Sequence, residues 1–149
     1  MLRKIQVAIL PFIISLSALI LFSPPMNSTT AIKTMVERQA NAWETQDVSS
    51  LIGDFAPDAV FKAGSFTFKG IDAIQNAAES YFRQFKDTKV TIKRIIVEDR
   101  QGAVEWDWSE RNRKTNAPSA AEDAIVFELG DDGKIVYWRE YIEKVKVKK

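Results

Sequence analysis

Two apolar–polar alternations dominate the C-terminal part of the chain, over 121–129 and 134–143, with Asp132-Gly133 between them. Period-two alternation predicts strands with one buried face, and an Asp-Gly step readily takes the positive φ angles of a two-residue hairpin turn. The same period governs 88–98 and 103–113, separated by a turn at Arg100-Gln101-Gly102, while 112–118 has loop composition. Upstream the period becomes helical. Ile32, Met35, Val36, Ala40 and Trp43 recur on one stripe over 31–46, with Thr29 or Thr30 placed to cap the start. A second short helix is expected over 47–55, closed by Pro57. Short strands at 59–62 and 65–68 flank Gly64, and Gly70 leads into a helix over 71–85 with Ile71, Ile74, Ala78, Tyr81, Phe82 and Phe85 on one stripe. Three helices, two short strands and four long antiparallel strands make an α+β domain.

The pattern also says which sheet face is buried. Along 103–113 one face carries Glu105, Asp107, Ser109 and Arg111, and the other Val104, Trp106 and Trp108. Burying unpaired charges costs several kcal/mol each, so the tryptophans are expected inside. An even-length loop to the next strand puts them on one face with Asp123, Ile125 and Phe127. A two-residue turn at Asp132-Gly133 then opposes Phe127 to Trp138 and Ile125 to Glu140, adding Val136, Trp138, Glu140 and Ile142 to the inward set. Tyr137, Arg139 and Tyr141 face outward.

That inner face is aromatic and carries two carboxylates, Asp123 and Glu140. Among indoles a carboxylate has its pKa raised by desolvation, and a close pair raises one further, which suits a general base. These two are the candidate catalytic residues, against the plainer reading that both sit at the sheet's rim, solvated or paired to Lys or Arg. Large aromatics on a concave face also build small-molecule cavities, so Trp43, Tyr81, Trp106, Trp108, Phe127 and Trp138, with Gln39, are the candidate ligand contacts, against a plain core-packing role.

Composition narrows the chemistry. The 149 residues carry no Cys and no His, so thiol or imidazole catalysis and Cys- or His-ligated metals are excluded. Carboxylates at metal-ligand spacing are also lacking, and neither metal nor cofactor is expected; Asp131-Asp132-Gly133 reads as turn chemistry. A net charge of +1 argues against a nucleic-acid partner. Arg3 and Lys4 precede an apolar run over 5–22, followed by a Pro- and Ser-containing stretch. Residues 1–30 therefore read as an export signal or an uncleaved anchor plus linker, with Thr29-Thr30-Ala31 as the cleavage candidate and the domain outside the cytoplasm. The basic tail, 144–149, reads as a solvated terminus.

The motifs Phe55-Ala-Pro-Asp-Ala-Val-Phe61, Glu105-Trp-Asp-Trp108, Glu122-Asp-Ala-Ile-Val-Phe127 and Trp138-Arg-Glu-Tyr-Ile-Glu143 resemble the SnoaL-like branch of the nuclear transport factor 2-like superfamily over 31–143. The resemblance implies a cone: a strongly curved, mixed or antiparallel sheet wrapped around three N-terminal helices, enclosing a pocket and commonly forming a homodimer. It implies no single activity. On the ketosteroid isomerase pattern the catalytic Asp, the oxyanion Tyr and the protonated Asp fall on Ala63, Gln39 and Ile125, so that chemistry is not expected. The cyclases use a His this chain lacks, and the Arg-x-Asp step of the epoxide hydrolases meets Glu105-Trp106-Asp107. The resulting expectation is an exported domain binding a small, largely apolar molecule. The alternatives are a lyase, isomerase or hydrolase using a pocket carboxylate, with Gln39 or Tyr81 as a hydrogen-bond donor, or a non-catalytic dimerisation or protein-interaction module.

Overall fold

The computed structural model describes residues 28–147; the apolar run at 5–22 of the proposed export signal or anchor lies outside the described residues. No helix among the described residues is long and apolar enough to cross a membrane. The elements are α1 (Thr29–Thr45), α2 (Val48–Gly53), β1 (Phe55–Ala63), β2 (Phe66–Lys69), α3 (Ile71–Gln84), β3 (Phe85–Glu98), β4 (Gln101–Asn112), β5 (Pro118–Leu129) and β6 (Ile135–Val145). The strands form one curved, unclosed sheet in the order β2-β1-β6-β5-β4-β3. All neighbours are antiparallel except β1 and β6, which run parallel. The helices bury Ile32, Val36, Trp43, Leu51, Ile74 and Phe82 against the inner face, where Phe61, Trp106, Phe127 and Trp138 meet them.

Several local expectations are corrected. Ser28, not Thr29 or Thr30, caps α1: its hydroxyl accepts from the Ala31 N–H at 3.2 Å. The second helix stops at Gly53, and Phe55 already belongs to β1. Pro57 lies inside that strand, in the irregular stretch between the pairs Phe55↔Ile135 and Val60↔Tyr137, where its missing N–H costs no ladder bond. The turn before β4 is at Asp99 (φ 51°), leaving Gln101 and Gly102 in the strand. Gly102 is required there, since a Cβ would stand 2.5 Å from the Ile96 carbonyl oxygen and from the Phe127 ring.

The last hairpin turns on three residues rather than two. The Gly133 N–H donates to the Gly130 carbonyl at 3.0 Å and the Gly130 N–H to the Lys134 carbonyl at 2.8 Å, with Gly133 at φ 75°. By itself this would offset the register by one. A bulge at Val136 restores it: Leu129 pairs with Ile135, but Glu128 with Tyr137 and Phe127 with Trp138. The expected pairs Phe127↔Trp138 and Ile125↔Glu140 therefore form, while fully buried Ile135 takes the inward place expected of Val136.

Candidate functional site

The inner face of β4, β5 and β6 is assembled by cross-strand pairs. Val104 lies opposite Ile125, Trp106 opposite Asp123, and Trp108 opposite Ala121. Asp123 in turn lies opposite Ile142, and Ile125 opposite Glu140, so Asp123 and Glu140 are diagonal neighbours on adjacent strands. Both carboxylates are buried, whereas Ile142, expected inside, is 42% exposed.

Each of three inner-face carboxylates accepts from an indole. Trp106 Nε1 donates to Asp123 Oδ2 at 3.2 Å, Trp138 Nε1 to Glu140 Oε1 at 3.0 Å, and Trp108 Nε1 to Glu110 Oε2 at 3.0 Å. Glu110 was not singled out in the sequence, although the period that turns Trp106 and Trp108 inward continues to it. It also accepts from the Tyr81 hydroxyl and, at 2.9 Å, from Ser119 Oγ. Two of the pairs are Trp-x-Glu steps within one strand, in which the indole reaches along its own face to the next inward side chain.

Burial dominates the electrostatics. It pushes the Asp123 carboxyl up to about 6, with the Trp106 hydrogen bond opposing and the Glu110 charge adding. It pushes Glu140 up to about 8, opposed by the Trp138 indole and reinforced by Asp123. Tyr81 is raised by burial and by its bond to Glu110. At neutral pH Asp123 is mostly ionised and Glu140 mostly protonated, an acid and a base on adjacent strands. Asp123 Oδ1 is buried and has no hydrogen-bond partner.

The aromatic candidates form one packed body. Trp138 stacks on Phe127 at 5.8 Å and meets Trp106 at 6.0 Å, while Trp43 meets Trp108 at 5.6 Å and Tyr81 at 5.7 Å, both edge-on. Gln39 is directed elsewhere: its amide donates to the Leu51 carbonyl at 3.0 Å and to Asp54 Oδ2 at 2.9 Å, beside the Arg38–Asp54 ion pair. Of the three positions reached through the isomerase pattern, Ala63 pairs with Glu140 across the parallel strands, which puts a carboxylate on the neighbouring strand. An open depression of about 710 Å³ is lined mostly by outer-face residues, among them Lys93, Glu105, Asp107, Glu122, Arg139 and Tyr141, and also by Gly64, Trp106, Asp123, Glu140 and Ile142. Among the described residues no group of three or more acidic side chains has the geometry to hold a metal ion.

Comparison with known proteins agrees with this architecture. The family model described as a SnoaL-like domain matches residues 36–138. A protein with a ketosteroid isomerase-like fold from Catenulispora acidiphila DSM 44928, solved in complex with trimethylamine, is 18% identical over 72% of this chain and 83% of its own, with a TM-score of 0.66. A ketosteroid isomerase-like protein from Erwinia carotovora atroseptica SCRI1043 is 17% identical over 79% and 96% of the two chains, at TM-score 0.65. An LEH-like epoxide hydrolase from M. tuberculosis is 21% identical over 74% and 80%, at TM-score 0.64. No curated protein matches the chain. At these identities the solved structures speak to the fold alone.

Proposed function

The chain belongs to the SnoaL-like domain family, and from that premise we propose that it is an exported domain binding a small, largely apolar molecule at the acidic mouth of its aromatic core. The observation that carries this reading is the buried, unpartnered Asp123 Oδ1 beside Trp106, at an opening that Glu140 and Ile142 also line. A polar atom buried without a partner costs about 1–3 kcal/mol, and a bound molecule offering a donor removes that cost. Ile142 supplies exposed apolar surface at the opening, while Trp106 and the Trp138–Phe127 stack belong to the packed core. A neighbour of the same fold was solved in complex with a small molecule, trimethylamine. The arginine and lysine content of the N-terminal flank and the apolar run at 5–22 support export.

The test is a titration with a panel of small alcohols, cyclic ketones and alkylamines, followed through the indole N–H signals in ¹H–¹⁵N spectra. At least one member is expected to move the Trp106 signal saturably. A panel without any such response, together with a native mass spectrum free of bound small molecules, would sink the reading.

A second reading, catalysis, is favoured by the pairing of a mostly ionised Asp123 with a mostly protonated Glu140. Asp123 would take a proton and Glu140 would donate one to developing negative charge. Conversion of the bound molecule by the native protein, lost in both Asp123→Asn and Glu140→Gln, supports it; unchanged conversion in the two variants removes them from the mechanism. We also infer a homodimer through the outer sheet face, where Val126 and Tyr141 are exposed on adjacent strands. A monomer mass by light scattering at working concentration counts against that.

A further inference from the structure

The net charge of +1 conceals an uneven distribution. At one end of the sheet its last four strands line up: Lys89 stands opposite Ser109, Ser109 opposite Ala120, and Ala120 opposite Val145. The segments around this row are basic, although the sequence holds them far apart. β3 brings Lys86 and Lys89, β4 and the loop after it bring Arg111, Arg113 and Lys114, and β6 brings Lys144 and Lys146. Lys86 lies opposite Arg111, and four strands at the usual spacing hold the three groups within about 15 Å of one another along the sheet's end. Among the described residues none of these cations is in an ion pair. Arg113 is turned inward, donating to the Phe82 carbonyl and to Gln46 at 2.7 Å each, and Arg111 donates to the Asn116 carbonyl at 3.1 Å. The acids at this rim are Glu44, Asp47 and Asp87, with Glu110 buried beneath Tyr81 and Trp108. Glu122 and Glu143 oppose each other one row back on the outer face, beside Asp107, which Lys93 pairs at 2.6 Å. The end of the sheet therefore keeps an excess of positive charge.

We propose that this end of the sheet docks on an anionic lipid bilayer, with Lys86, Lys89, Arg111, Lys114, Lys144 and Lys146 at the headgroups. Val145 and Val147 decide between a bilayer and other polyanions. They are 36% and 43% exposed and alternate with Lys144 and Lys146, so apolar surface stands among the cations. Such a mixture gains from an interface of charged headgroups and acyl chains, whereas a nucleic acid or an acidic polysaccharide rewards the charge alone. Single-stranded nucleic acid also needs free rings on which bases stack. Here Tyr81 packs on Phe85 at 4.7 Å and on Trp108 at 6.0 Å instead. Because three stretches of chain supply the charge, the folded sheet makes the surface and the C-terminal tail is one part of it. The docking surface is independent of the ligand reading of the inner face.

The experiment mixes the full chain with vesicles of phosphatidylcholine, alone or with about 30% phosphatidylglycerol, and follows acylation of each lysine by mass spectrometry. The apolar run at 5–22 is present in every sample, so the readout is the difference between the two lipids at each lysine. Lys86, Lys89, Lys114, Lys144 and Lys146 are expected to lose reactivity at least about fivefold on the anionic vesicles and to regain it in about 0.5 M salt. Lys69 on β2 and Lys134 at the far end of β6 are expected not to change. Lys86→Gln and Arg111→Gln, made singly, are each expected to raise about fivefold the lipid concentration that protects Lys144 and Lys146. A far-ultraviolet circular dichroism spectrum matching the native one shows that a variant is folded, and Lys114→Gln in the exposed loop replaces any that is not. Protection spread evenly over Lys69 and Lys134, or independent of lipid charge, overturns the proposal. Protection of Lys144 and Lys146 that no folded variant weakens means the tail acts alone, and overturns the assembled surface. Equal protection of the same lysines by a short DNA duplex or by heparin overturns the assignment to a bilayer.

Discussion

Replacing Glu140 with Gln removes a charge while keeping the side chain's shape and an acceptor for the Trp138 indole. In the folded protein burial holds this carboxyl up at about 8, against 4.5 for the exposed group. The gap, 8 minus 4.5, is about 3.5, and at 1.36 kcal/mol per pH unit it corresponds to roughly 4–5 kcal/mol. The sign follows from proton counting. Between the two values the folded state holds a proton that the unfolded state has lost, so stability falls as pH rises and levels off above the folded value. Glu140 therefore destabilises the native protein most at alkaline pH and hardly at all near pH 4.

Urea unfolding followed by circular dichroism at several pH values between about 4 and 9 separates the two proteins. The variant's advantage is expected to be near zero at the acid end, about 2 kcal/mol near pH 6, and roughly 4–5 kcal/mol above pH 8. Because ionised carboxylates draw in water and relax their surroundings, the alkaline figure is an upper bound, and half of it still supports the reasoning. A difference between the proteins that does not change with pH would refute it, because Glu140 would then ionise like an exposed glutamate.

Asp123→Asn follows the same sign in a lower window, from 3.8 to about 6, with a gain approaching about 3 kcal/mol by pH 7 in the same unfolding series. Trp106→Phe removes the indole donor to Asp123 and leaves a void; a loss of about 1–3 kcal/mol is expected, with the Asp123 carboxyl carbon titrating at still higher pH by NMR. Gly102→Ala forces a methyl group onto the Ile96 carbonyl oxygen and the Phe127 ring, and thermal unfolding is expected to show about 1–3 kcal/mol of destabilisation. Arg38→Ala strips the guanidinium from a buried Asp54 and leaves it the Gln39 amide; with Arg38 itself half-exposed, about 1–3 kcal/mol is expected by chemical denaturation.

What the sequence disclosed followed from period and sign of charge. The run Val104, Trp106, Trp108 against Glu105, Asp107, Ser109 decided the inner face of β4, and the Phe127↔Trp138 pairing came out as expected. That pairing rested on the wrong turn, and only the bulge at Val136 brought it back. Bulges depend on where the inner strand must meet the helices, which local composition does not encode. Pro57 misled for a related reason: proline forbids a ladder N–H, but an irregular stretch of strand asks for none. Glu110 escaped notice because a charged residue ending an aromatic stripe reads as the strand's solvated tip; its burial depends on Tyr81, a helix residue whose position no pattern on β4 reveals. Gln39 could not be separated from a ligand contact until Asp54 was seen beside it.

The strand order has a consequence for how the protein comes into being. β6, the last strand in the sequence, occupies an interior place in the sheet, with β1 on one side and β5 on the other. Residues some eighty positions apart, such as Val60 and Tyr137, must meet before the first and final portions of the chain are joined. Pairings of that span are slow to find, and the nascent polypeptide leaves the edges of β1 and β5 open until its C-terminal stretch has emerged. Glu140 enters its dry surroundings only with that closing insertion. Exposure of the β1 and β5 edges during synthesis would therefore set pairing with other chains in competition with folding.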